Sequence, residues 1–171
     1  MHIKEETTER HTLAVIVDNE PGILARIAGL FTARGYNIES LTVSEITDDR
    51  AVSRITIVTS ASAHVMEQII AQLERLVPVH KVTDLTLRGR SIERELAMIK
   101  VSGKGEMRAE ALRLAEAFKA KVVDATTESF IFELTGAPAK IDDFLEIMRP
   151  LGLVELARTG VAAITRGAEA G

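Results

Sequence analysis

The chain of 171 residues has no cysteine and no tryptophan, a single tyrosine, and only four histidines. Without cysteine there is no disulfide, no thiolate nucleophile and no zinc or iron–sulfur site built on sulfur. His2, His11, His64 and His80 are scattered, with no two at metal-ligand spacing, and read as surface or boundary residues. No apolar run approaches the roughly 20 residues that span a bilayer. Met1 to Arg10 is charged and carries no apolar stretch of the kind a secretory signal needs. These absences together predict a cytoplasmic protein with no membrane association. The net charge of −4 and the 4% aromatic content argue against a nucleic-acid binder, which needs a basic face and stacking platforms. A G-x-S-x-G elbow and a Walker phosphate loop are both missing. Glu67, Glu74, Glu110 and Glu116 fall on polar helix faces, where a carboxylate serves solubility rather than proton transfer. The expectation is a chain with no catalytic residue and no metal site.

What is present is a globular composition, 46% hydrophobic and 27% charged, arranged as the same pattern twice. Thr12–Val17 is a short apolar β-rich run. Asp18-Asn19-Glu20-Pro21-Gly22 is a turn, and Ile23, Ile27, Leu30 and Phe31 then recur at helical spacing. Gly35 is placed to cap that helix at its C-terminus. Asn37–Ile46 and Val52–Thr59 read as strands joined through Thr47-Asp48-Asp49-Arg50. Val65, Ile69, Leu73 and Leu76 form a second helical stripe, and Val79–Leu87 a fourth strand.

The second pass begins near Arg94. It places a strand at Leu96–Val101, a turn at Ser102-Gly103-Lys104-Gly105 and a helical stripe of Ala111, Leu114, Ala115 and Phe118. Strands at Lys121–Ala125 and Phe130–Thr135 follow, then a stripe of Ile141, Phe144, Leu145 and Met148 behind Pro138, and a last extended segment over Val154–Ile164. The repeat offset of about 84 residues suits one small domain. Strand–helix–strand–strand–helix–strand is the ferredoxin-like split βαβ unit, with both helices on one face of an antiparallel sheet. The expected fold class is therefore α+β, with two ferredoxin-like βαββαβ domains in tandem at 11–87 and 93–167, joined near Arg88-Gly89-Arg90-Ser91. Thr12–Val17 is apolar on both sides, so the sheet face without helices needs a cover. Pairing between two chains, as a homodimer, is the economical solution.

The turn at Asp18–Leu24 carries the most chemical information. Gly22 permits close backbone approach. The amides of Gly22, Ile23 and Leu24 would open from a helix N-terminus, which suits a carboxylate. Asn19 offers a side-chain carbonyl to an ammonium group, and Asn37 a further amide. A free amino acid has both groups; a purely structural turn shows the same Pro-Gly signal. Ser102–Gly105 is a second place where a helix start could cradle an anion.

The run D-N-E-P-G-I-L-A-R-I-A-G-L-F-T-A-R-G-Y-N-I-E-S-L-T-V closely resembles the start of the small, regulatory subunits of acetohydroxyacid (acetolactate) synthase, of which R-G-Y-N-I-E-S-L-T-V is specific to the family. The likeness continues through Val52-Ser53-Arg54-Ile55-Thr56, Leu76–Val82, Glu93-Arg94-Glu95 and Ala157-Arg158-Thr159-Gly160, with mild departures at Pro21 and Leu156. It implies an effector-binding ACT domain followed by an ACT-like domain. It implies a chain with no catalysis of its own that activates a catalytic (large) subunit, the holder of thiamine diphosphate, Mg and FAD. It further implies feedback inhibition by valine, or another branched-chain amino acid, bound where two ACT domains meet. Asn19, Gly22 and Asn37 match the family's effector-site positions, Asn37 coming from the opposite chain. Ile23 and Ile38 are added as neighbouring amide or apolar contacts. Other readings are a stand-alone amino-acid-sensing ACT regulator, a ferredoxin-like RNA-binding module, a small enzyme acting alone and a metal-sensing ACT-like regulator, which would need clustered histidines that the chain lacks. Against the RNA module stands the lack of aromatics on Val52–Thr59.

Overall fold

The computed structural model describes residues 7–87, 89 and 91–170. It divides into two compact units, one running to Ile92 and including the residues from Val161 onward, the other Glu93–Gly160. The joint expected at Arg88–Ser91 falls partly outside the described residues, at Arg88 and Arg90.

In the first unit β1 (Glu9–Asp18), α1 (Ile23–Ala33), β2 (Ser40–Glu45), β3 (Val52–Ala61), α2 (Ala63–Glu74) and β4 (Val79–Asp84) build a four-stranded sheet of order β2-β3-β1-β4. All its pairings are antiparallel; β1 and β3 run in register from Glu9 opposite Ala61 to Asp18 opposite Val52. Period-two alternation sends Leu13, Val15, Val17, Ile55 and Ile57 to one face, where they meet Ile23, Ile27 and Phe31 of α1 and Met66, Ile69 and Leu73 of α2. Each fully buried side chain of this size contributes roughly 1.5–3 kcal/mol, which is why the helices hold to that face. The end of α1 is fixed by Gly35 at φ 71°: its amide donates to the Thr32 carbonyl at 3.1 Å, and the Tyr36 amide to Phe31 at 2.9 Å. That double bond pattern is a Schellman cap, which only a residue tolerant of positive φ can close.

The second unit repeats the plan with β5 (Ser91–Ser102, its first two residues counted with the first unit), α3 (Gly105–Ala117), β6 (Lys121–Ala125), β7 (Ser129–Gly136), α4 (Pro138–Met148) and β8 (Leu153–Arg158). Its strand order, β6-β7-β5-β8, is that of the first unit shifted by one repeat. Ala97, Ile99, Val101, Phe130, Phe132 and Leu134 pack against Ala111 and Ala115 of α3 and Ile141, Phe144, Leu145 and Met148 of α4. The α+β class with two ferredoxin-like units, helices on one face of each antiparallel sheet, is thus what the chain adopts.

Three segments depart from the sequence expectation. Asn37 and Ile38 precede β2 rather than open it: the Asn37 carbonyl accepts the Thr59 hydroxyl at 2.6 Å, and ladder pairing begins at Ser40 opposite Val58. The fourth strand stops at Asp84, because the Asp84 side chain accepts the Thr86 amide at 3.0 Å and bends the chain. Finally, the extended run Val154–Ile164 is broken at Thr159-Gly160, with Gly160 at φ 84°. The part beyond forms β9 (Ala162–Thr165), which pairs with β5 and is counted with the first unit. Val161 and Ala163 are buried with Ala14, Val58 and Leu85. The helix-free face of the first sheet, for which a second chain seemed the economical cover, is in part covered by the chain's own C-terminal segment.

Candidate functional site

The turn after β1 is built almost entirely by backbone hydrogen bonds. Asp18 N donates to Pro78 O and Asn19 N to Ala51 O, both at 2.8 Å, and Glu20 N to Asp18 O at 2.9 Å. These tie the turn to the loops that open β4 and β3. Gly22 is the residue before the first turn of α1, at φ 82° and ψ −2°, a left-handed conformation that suits glycine. A Cβ there would meet nothing within 4 Å, so the glycine answers a conformational need and leaves open space above it. No side chain caps α1 and no acid lies in its first turn, so the partial positive charge of that helix end is left uncompensated by the helix itself.

Asn19 and Gly22 are exposed at this end of the sheet. The Asn19 side-chain Nδ2 donates to the Arg50 carbonyl at 2.9 Å and to Glu45 Oε1 at 3.3 Å. Both donor hydrogens thus clasp the β2–β3 hairpin, which leaves the Oδ1 lone pairs as the group able to receive an ammonium. The hairpin is rigid in its own right. Arg50 sits at φ 58°, its amide bonded to Thr47 O at 2.9 Å, while Asp49 Oδ1 accepts the Ala51 amide at 3.0 Å. Hydrogen bonds from the Thr47 side chain and the Ala51 amide hold the Asp49 carboxyl below its ordinary value.

Ile23 does not present itself as expected. Its side chain is buried in the core, and its amide is taken by the Glu20 carbonyl at 3.3 Å. The helix-start amides left to a ligand are those of Leu24 and Ala25, the next two positions without intrahelical acceptors. Leu24 is also 40% exposed, an apolar contact beside them that the sequence reading did not single out. Its position one step from the core stripe of Ile23, Ile27 and Phe31 was the available signal.

Asn37 and Ile38 lie at the other end of the sheet. The Asn37 carbonyl is anchored to Thr59, whereas Asn19 is anchored to Ala51. Those anchor residues are eight positions apart, one just before β3 and one within it, about 26 Å at ~3.3 Å per residue. Within one chain the two halves of the expected site are therefore not brought together. Asn37 is exposed, while Ile38 is partly buried against the core.

In the second unit the turn Ser102–Gly105 does not offer a free cradle. Ser102 N donates to Gly152 O at 2.8 Å and Gly103 N to Glu128 O at 2.9 Å, and the Glu128 carboxylate pairs with Lys104 at 2.6 Å. The anion at this turn is one the chain supplies itself. The same unit joins two of the quoted motifs: Arg158 grips Glu95 with Nε and Nη2, both at 2.7 Å, and Asp142 with Nη1 at 2.7 Å. These carboxylates hold the Arg158 guanidinium above its ordinary value. The stacked pair Phe130–Phe132 belongs to the helix-facing core, so it is no base-stacking platform. Among the described residues no group of three or more His, Asp or Glu is placed to hold a metal ion, and no helix is long and apolar enough to cross a membrane.

Comparison with known proteins finds relatives that span both units. Residues 13–81 match a family model described as AHAS small subunit-like ACT domain, and residues 94–167 one described as small subunit of acetolactate synthase. The probable acetolactate synthase small subunit of Archaeoglobus fulgidus is 48% identical over 92% of this chain and 98% of its own length. The acetolactate synthase isozyme 3 small subunit of Escherichia coli is 43% identical over 92% and 96%. The crystal structure of the acetolactate synthase small subunit from Thermotoga maritima superposes with a TM-score of 0.83 at 36% identity, covering 94% of this chain and 99% of that one.

Proposed function

We propose, given that this chain belongs to the family of acetolactate synthase small subunits, that it activates the catalytic large subunit and makes it sensitive to valine, with leucine or isoleucine as weaker alternatives. The chain is a regulatory small subunit with two ACT-type units. The chemistry of acetolactate formation, and the thiamine diphosphate, Mg and FAD it uses, belong in this reading to the large subunit in the cytoplasm. The effector's carboxylate meets the Leu24 and Ala25 amides above Gly22. Its ammonium group meets Asn19 Oδ1, and its branched side chain the exposed Leu24.

The observation that carries the reading is the separation of the two half-sites. Asn19–Gly22 and Asn37 occupy opposite ends of one sheet whose edge strand, β2, pairs among the described residues with β3 alone. A two-fold partner running antiparallel along that edge brings the turn of one chain to Asn37 of the other, twice per dimer. Val43 and Ile46 remain exposed on β2 and its exit, 47% and 49%, apolar surface suited to such pairing. Effector binding across the seam then biases how the dimer engages the large subunit. A coupling of ~1–3 kcal/mol gives 5–150-fold effects, provided the effector prefers one docked state.

The test is Gly22→Asp in enzyme reconstituted with the large subunit. The added carboxylate lies where the effector's should, so activation survives and valine inhibition is lost. Full valine sensitivity of that variant would remove the site assignment.

A further inference from the structure

The chain does not stop at Gly160 but turns back over the helix-free face of the first sheet. Side chains of β2 and β3 take hold of its backbone there. Ser40 Oγ accepts the Val161 amide at 2.8 Å, the Thr42 hydroxyl donates to the Val161 carbonyl at 2.9 Å, and Arg54 Nη2 donates to the Ala163 carbonyl at 2.6 Å. Val161 and Ala163 are each 3% exposed, packed on Ala14, Val58 and Leu85. Backbone capture by three side chains, together with the pairing of β9 to β5, holds the segment on small apolar residues.

The holders of the segment stand on the two strands that carry the candidate effector site's loops. Ser40 is the third residue after Asn37 and Thr42 the fifth, on the strand that the Asn37 loop feeds. Arg54 stands opposite Ser44 on β3, whose entry loop is clasped by Asn19. Gly160, at φ 84°, is the last residue of the second unit, so the segment is also the covalent continuation of that unit.

We propose that Val161–Thr165 is a strap whose seating on Ser40, Thr42 and Arg54 is thermodynamically linked to effector binding. These three are positioning residues; none touches the effector. With the strap seated, β2 is held by side-chain bonds on its open face as well as by its ladder to β3, and the Asn37 loop is fixed for the partner's turn. With the strap released, β2 loses the side-chain bonds on that face and keeps only its ladder pairing. An effector that needs Asn37 in place favours the seated state. By reciprocity, loss of the seat weakens the effector by the same factor. This inference rests on the effector reading above.

The test begins on the unmodified full chain. Amide hydrogen exchange is followed at Val161–Thr165 and at Ser40–Glu45, with and without saturating L-valine. Exchange in both segments slows about fivefold or more if the proposal holds. Protection of Leu24, Ala25 and the Asn37 loop with an unchanged strap overturns it and leaves the effector site standing. No valine, leucine or isoleucine binding to the unmodified chain overturns both. Calorimetry on Ser40→Ala/Thr42→Val adds a second readout: L-valine affinity falls about fivefold or more, while Thr42→Ser, which keeps both hydroxyls, leaves it unchanged. A strap that is merely a cover shifts the melting temperature of the double variant and leaves its valine affinity unchanged, which also overturns the proposal.

Discussion

Glu95 and Arg158, 63 positions apart in the chain, form a two-pronged ion pair with both N···O distances at 2.7 Å, and the Glu95 side chain is 4% exposed. The pair fastens β5 to β8 at the point where Ala97 faces Arg158. It fixes the strand end from which Thr159 and Gly160 depart, with Thr159 N bonded to Leu96 O at 3.0 Å.

Arg158→Leu therefore leaves a carboxylate buried without its cation. The expected loss is about 3 kcal/mol of stability, read by denaturant unfolding. Glu95→Gln/Arg158→Met removes both charges and recovers most of that loss. A single variant as stable as the unmodified chain would show the pair to be dispensable.

The half-site geometry predicts complementation between defective chains. Asn19→Ala and Asn37→Ala each abolish valine inhibition when every chain carries the change. In a mixed dimer one seam receives both defects and the other neither. A mixed dimer therefore regains one of its two sites, and an equal, randomly assorted co-refolded mixture about a quarter of all sites, counted by titration calorimetry. No recovery in verified mixed dimers would mean that both residues act within one chain.

Two glycines separate conformational strain from steric exclusion. At Gly22 an alanine has room but must hold φ 82°, which costs about 1 kcal/mol. At Gly152 the φ is 101° and a Cβ would lie 2.1 Å from the Ser102 carbonyl oxygen. Gly152→Ala therefore destabilises the second unit well beyond the Gly22→Ala loss in a parallel unfolding series. Equal losses would contradict this.

Asp49 gives a pH prediction with a definite sign. Its folded value lies below the ordinary 3.8 because the Thr47 side chain and the Ala51 amide stabilise the carboxylate. The stabilisation is present above the unfolded value and is lost as pH falls through the lower folded one. The Ala51 amide resonance should titrate with a midpoint below 3.8, and Asp49→Asn should abolish that titration while leaving spectra at neutral pH close to native. A midpoint above 3.8 would reverse the sign.

The sequence by itself determined the repeated strand–helix order, the helical stripes and the glycine turns, since these follow from local periodicity and backbone freedom. Ile141, Phe144, Leu145 and Met148 were legible as a core stripe and are all buried together. Asn19 and Gly22 were legible as a turn at a helix start because Pro-Gly marks it. Ile23 was misjudged because its side-chain direction and its amide's acceptor depend on where Glu20 and the core lie.

Only the tertiary structure decided the rest. Gly160 marks a turn within Val154–Ile164, but nothing local says which unit the part beyond it joins. The break is set by Gly160 and by acceptors and donors on Ser40, Thr42 and Arg54, more than a hundred residues earlier in the chain. The distance between Asn19 and Asn37 likewise depends on strand register, which long-range pairing fixes and local sequence does not.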